Sequence, residues 1–159
     1  MRLRRGCSGA WIALLAAAAD RVSKAAVTRL AAGGGALLPG LVNLSPTVNR
    51  GMAFSLLSGQ GLALTLFTLA VIAVLTAWLI ARPGAPRLFR AGLWLIVGGG
   101  LGNLYDRIAY GCVIDFLELA FVRFAVFNVA DVCICAGAAL AVLDMALEER
   151  AVQRRGRDK

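Results

Sequence analysis

Two short segments in the second half of the chain set carboxylates and amides among apolar residues. One is Asn103-Leu104-Tyr105-Asp106-Arg107, followed by Val113-Ile114-Asp115-Phe116; the other is Phe127-Asn128-Val129-Ala130-Asp131. Ionisable groups in or beside a membrane span are costly to place, so by default they mark a functional site. The chain contains no histidine, which removes a Ser-His-Asp triad and any histidine-ligated metal. A Ser–Lys dyad would need Lys24 to face a hydroxyl. Its neighbour Ser23 does not share its helix face, which leaves only Ser55, in a later segment. Cys112 has no cation beside it to lower its pKa, and Cys133 and Cys135, two apart, point different ways on a helix and read as small buried hydrophobes. A pair of carboxylates remains. Two close aspartates cannot both carry charge comfortably, so they share a proton; the ionised one can deprotonate a water while the protonated one polarises an amide carbonyl. Asp115 and Asp131 suit this pairing, because a loop and a helix end can approach each other. Asp106 beside Arg107, and Asp20 four residues before Lys24, read as structural ion pairs. The plainer alternative makes Asn128 an N-cap and Asp131 a complement to the helix dipole.

The elements that must position these groups are membrane spans. Of 159 residues, 60% are hydrophobic, mean hydropathy is +0.77, and ordinary soluble domains run at roughly 45–50% apolar. An integral membrane protein follows. Four spans are expected, at about 10–30, 61–81, 88–108 and 128–147. The first also has the layout of a cleaved signal peptide, with Arg2, Arg4 and Arg5 before an alanine-rich core. Against this, Asp20 and Lys24 can pair across one helix turn and apolar character resumes after them. Residues 31–60 carry the helix breakers Gly33-Gly34-Gly35, Pro39-Gly40 and Pro46. They read as an extramembrane lobe with short strands at Leu41–Leu44 and Met52–Leu56. Residues 110–126 read as a loop and 148–159 as a disordered charged tail.

The net charge of +8 is a topology signal and not a nucleic-acid patch. Eleven of the seventeen basic residues lie in the two termini and the 82–90 connection, so both termini are expected in the cytoplasm. The lobe, Asp115 and the start of the fourth span then share the outer side. Asn103, Asp106 and Arg107 lie on one helix face at the outer end of the third span, and Asn128 and Asp131 lie at the outer end of the fourth.

Five ordered motifs carry a resemblance: Asp20-Arg21-Val22-Ser23-Lys24, the stretch from Asn49-Arg50-Gly51 to Ser55, the stretch from Gly99 to Arg107, Gly111 to Phe116, and Phe127 to Asp131. Over residues 10–147 the chain resembles the bacterial lipoprotein signal peptidases (signal peptidase II). The resemblance implies an all-α membrane protein of four transmembrane helices, with a small β-rich periplasmic cradle between helices 1 and 2. It implies an aspartic endopeptidase of the bacterial inner membrane that removes the signal peptide from diacylglyceryl-modified prolipoproteins, cleaving before the lipidated cysteine. It also implies that Asp115 and Asp131 are the catalytic dyad, inhibitable by compounds such as globomycin. Asn49, Asn103, Arg107 and Asn128 match positions around the substrate or the dyad, and Asp20, Lys24 and Asp106 match supporting polar positions. The expected partners are lipid-modified prolipoproteins and membrane lipids, with no nucleic acid, metal or cofactor, and the expected state is a monomer. Ser23 replaces the usual threonine and keeps its hydroxyl, while Arg50 and Met52 replace commoner small residues. Two rival functions use the same residues: a proton or ion pathway relayed by intramembrane carboxylates, and a structural partner held together by polar contacts.

Overall fold

The computed structural model describes residues 9–30, 33–51 and 60–157. Four long helices and a three-stranded sheet follow in the order α1 (Ala10–Leu30), β1 (Gly35–Leu38), β2 (Val42–Asn49), α2 (Gly61–Ala81), α3 (Arg87–Tyr110), β3 (Val113–Leu119) and α4 (Val129–Arg157). Helix α2 and the Val129–Ala151 part of α4 are long and apolar enough to cross a membrane. Helices α1 and α3 have 21 and 24 residues, but they carry Asp20, Arg21 and Lys24 and Arg90, Asp106 and Arg107 respectively. The outward faces of α1 and α2 are apolar, with Leu14, Leu15, Val22, Leu62, Phe67 and Val74 exposed. A surface of this kind needs an apolar solvent or a partner to cover it.

Helix α3 is central and packs on α1, α2 and α4. Ala13, Leu79, Leu93, Trp94 and Val97 form a core where α1, α2 and α3 meet. Toward the other end of α3 the approach is so close that no side chain fits at two positions. A Cβ on Gly99 would run into the Ala130 carbonyl oxygen, and one on Gly102 would lie 2.6 Å from Asp20 Oδ2. The small residues therefore bring the backbones of three helices around the polar groups. Helix α3 ends at Gly111, whose left-handed φ of 69° lets its N–H return to the Arg107 carbonyl.

The sheet is antiparallel in the order β1-β2-β3. Two expectations change here. The segment 110–126 is not merely a loop: Val113–Leu119 forms β3, which pairs with β2, so the cradle is built from both connections and not only from the one between the first two helices. Pro46, read from sequence as a helix breaker, lies inside a strand, β2. It lies where the β2–β3 register shifts between Leu44 and Thr47, and a bulge is where a strand tolerates a missing N–H. Residues 148–157 are not a disordered tail but continue α4. The expected strand Leu41–Leu44 overlaps the longer β2, which starts one residue later at Val42, whereas Met52–Leu56, with Ser55, lies outside the described residues.

Candidate functional site

Two elements deliver the central carboxylates. Asp115 is the third residue of β3 and is buried. β3 is held on one side by β2, with Thr47 opposite Asp115 and Asn49 opposite Val113. On the other side Phe116 N and Leu117 N donate to Phe127 O. Asp131 is in the first turn of α4. Asn128 Oδ1 accepts from Asp131 N at 2.9 Å, and Asp131 Oδ2 accepts from Asn128 N at 3.2 Å. This reciprocal pair is a capping box with Asp in place of the usual Glu.

Two amides link the carboxylates. Asn128 Nδ2 donates to Asp115 Oδ1 at 2.7 Å and to Asn103 Oδ1 at 3.1 Å. Asn103 Nδ2 in turn donates to Asp131 Oδ1 at 2.9 Å. On the sheet side Asn49 Nδ2 donates to Asp115 Oδ2 at 2.9 Å, while its Oδ1 accepts from Gly51 N. Burial pushes the Asp115 carboxyl up to about 6; the Asn49 and Asn128 donors favour its ionised form, and the charge of Asp131 opposes it. Such a pair can hold one proton between two carboxylates.

Behind the amides lies an ion cluster. Lys24 Nζ is 2.8 Å from Asp20 Oδ2, 2.8 Å from Asp106 Oδ2, and 3.2 Å from Asn103 Oδ1. All three charged residues are 0–1% exposed, and a buried charge persists only when paired and hydrogen-bonded. Each carboxylate of the cluster also holds a backbone N–H. Asp20 Oδ1 accepts from Ala130 N at 3.0 Å, one residue before Asp131, and Asp106 Oδ2 accepts from Ile114 N at 3.2 Å, one residue before Asp115. The expected Asp20–Lys24 pair is therefore present, but Asp106 does not pair with Arg107. Its partners are Lys24 and Arg21, both from α1, because on α3 its side chain is buried facing α1. Arg21, whose role the sequence did not reveal, bonds Asp106 and stacks 4.3 Å from the Tyr105 ring centroid. Only its position beside Asp20 hinted at it.

Asn49, Asn103, Arg107, Asp115 and Asp131 line one cleft of about 540 Å³. Its remaining wall is largely apolar and includes Val113, Leu119, Phe127, Val132 and Ile134, with Cys135 also reaching it. Val113 and Phe127 stood in the quoted motifs without a role of their own, Leu119, Val132 and Ile134 were not singled out, and Cys135, read from sequence as a buried hydrophobe, is exposed. Arg107 is half-buried and near the charges of Asp131, Asp115 and Asp106. Asp20, Lys24 and Asp106 do not line the cleft. Ser23 Oγ donates to the Asp20 carbonyl instead of facing Lys24. Among the described residues no group of three or more Cys, Asp or Glu is arranged to hold a metal ion.

Residues 12–147 match the family model described as signal peptidase (SPase) II. The chain is 41% identical over 150 residues to the lipoprotein signal peptidase of Ralstonia nicotianae, covering 91% of this chain and 82% of the relative. It is 39% identical over 142 residues to that of Pseudoalteromonas translucida, covering 84% and 85%. The fold is similar to a solved structure titled as a bacterial membrane enzyme, with a TM-score of 0.80 at 23% identity, covering 89% of each chain. A second structure of the same description gives a TM-score of 0.75 at 24% identity, covering 87% of this chain and 92% of the other.

Proposed function

Because the chain belongs to the signal peptidase II family of aspartic peptidases, we propose that Asp115 and Asp131 are its catalytic dyad. The observation that carries this reading is the amide bridge: Asn128 and Asn103 tie the two carboxylates together at the wall of one largely apolar cleft. The membership assigns removal of signal peptides from prolipoproteins. The finer substrate is a diacylglyceryl-modified prolipoprotein, cut before its lipidated cysteine.

In this mechanism the dyad holds one proton and one water. The ionised carboxylate takes a proton from the water as its oxygen bonds to the scissile carbonyl carbon, and the protonated carboxyl donates to the carbonyl oxygen. The gem-diol collapses, the C–N bond breaks, and the leaving amine takes the proton gained from the water. As the carbonyl re-forms, one gem-diol hydroxyl returns its proton to the other carboxylate, so the dyad again holds one proton. Arg107, Asn49 and Asn103 line the space where the substrate backbone would lie, and Asp20, Lys24 and Asp106 hold the segments on which the dyad sits. All four helices cross the bilayer in this reading, since α1 and α3 turn Asp20, Arg21, Lys24 and Asp106 toward each other, Arg90 bonds the end of α2, and exposed apolar residues face outward. Both termini are cytoplasmic, and the dyad lies toward the periplasm, where a lipid-anchored substrate can enter sideways.

Asp115→Asn and Asp131→Asn are each expected to give a folded, membrane-inserted protein that no longer processes a diacylglyceryl prolipoprotein. Normal cleavage by either variant would overturn the dyad. Ion flux without proteolysis in the parent protein would favour a relay instead.

A further inference from the structure

The dyad wall belongs to two cavities. The larger cleft extends along Val132, Ile134, Cys135 and Ala136 of the membrane-length helix α4. A second, of about 340 Å³, lies on the sheet side and is bounded by Thr47 and Val48 of β2 and by Arg123. Asn49, Asp115, Phe124, Ala125 and Val126 line both, so the two spaces meet at one member of the dyad. A substrate spanning such a junction has two unlike halves. The signal peptide and the acyl chains are apolar and match the α4 side. The polypeptide that follows the cut is destined for water and has to leave past the sheet. Arg123 is the only cation among the described residues lining the sheet-side space, and its side chain is exposed. Its guanidinium offers a carboxylate a planar, two-pronged donor.

Resting on the peptidase reading, the geometry points to the sheet-side cavity as the subsite for the residues just after the lipidated cysteine, with Arg123 selecting acidic side chains there. Arg123 is a specificity residue and takes no part in the chemistry. A single exposed charge pair changes binding modestly, so the discrimination between an acidic and a neutral residue is about two- to fivefold in kcat/KM, and it weakens in high salt.

The test uses the full-length enzyme in detergent with diacylglyceryl peptides that differ only in the residue following the lipidated cysteine: Asp, Asn or Lys. The parent enzyme is expected to rank them Asp, Asn, Lys by kcat/KM. Arg123→Gln is expected to flatten the series and Arg123→Glu to reverse it. The same ranking in Arg123→Glu as in the parent, or a uniform drop across all three substrates, would overturn the assignment. Cleavage by the parent with no charge order sinks this inference alone, whereas no cleavage of any of the three sinks the peptidase reading with it.

Discussion

Replacing Lys24 by Met keeps the length of the side chain and removes its charge. The consequence is concentrated at Asp20. Asp106 keeps Arg21 on Oδ1 and Ile114 N on Oδ2, but Asp20 Oδ2 loses the ammonium at 2.8 Å, while Oδ1 keeps only the Ala130 N–H. Asp20 is 0% exposed, so water does not replace the missing partner. Removing one member of a buried pair costs about 3–5 kcal/mol. Because Arg21 still compensates Asp106, the lower end applies, about 3 kcal/mol. For a chain of this size that corresponds to a fall in Tm of roughly 6–12 °C, measured by thermal unfolding of the purified protein in detergent. Lys24→Met with Asp20→Asn removes the uncompensated charge while keeping an oxygen for Ala130 N. The double variant is therefore expected to be more stable than Lys24→Met alone, with a coupling of about 2 kcal/mol. Cleavage recovers less than stability, because Asn103 Oδ1 has lost the Lys24 donor that holds it beside Asp131. A Lys24→Met protein as stable as the parent, or losses that simply add in the double variant, would refute the charge-compensation argument.

Two further outcomes follow from the amides. Asp115 binds its proton up to about pH 6, and the Asn49 donor favours the ionised form. Asn49→Leu deletes that donor, so the proton is held to higher pH. Since the dyad needs its shared proton, the alkaline limb of the kcat/KM profile should move upward in pH relative to the parent; a downward shift would mean that Asn49 does not act on Asp115. Asn128→Ala removes both the cap on Asp131 N and the Nδ2 donor to Asp115. Loss of the cap lowers stability by about 1 kcal/mol, and loss of alignment lowers cleavage by about 100-fold. Equal and small effects on both measurements would reduce Asn128 to a helix cap.

What could be read from sequence divides along the distance between partners. The Asp20–Lys24 pair is four residues apart on one helix, and the rule for helix neighbours found it. The same rule pointed Asp106 to Arg107, but its cations come from α1, 85 residues away in the case of Arg21. Locally that crossing is marked only by the glycines of α3, Gly98 and Gly102, which have no side chains to keep α1 away. Val113–Leu119 is rich in branched and aromatic residues and could have been read as a strand, but Asp115 and Glu118 break its apolar alternation, and its ladder with β2 spans more than sixty residues. Pro46 spoke only against a helix, and the register shift at which β2 holds it is not visible in either strand alone.

Asn128 and Asp131 show why the plain and the functional readings of a motif need not compete. Their spacing of three fits a capping box, and the structure forms one. The cap uses the Asn128 Oδ1 and backbone N–H together with one oxygen of Asp131. It leaves Asn128 Nδ2 for Asp115 and Asn103, and the other Asp131 oxygen for Asn103. A serine at position 128 would cap as well but has no second donor to send across to β3. The cap therefore fixes which way the amide points, and the amide ties the strand carboxylate to the helix carboxylate. At this position helix capping explains the preference for a short polar side chain, and only the bridge explains the choice of asparagine.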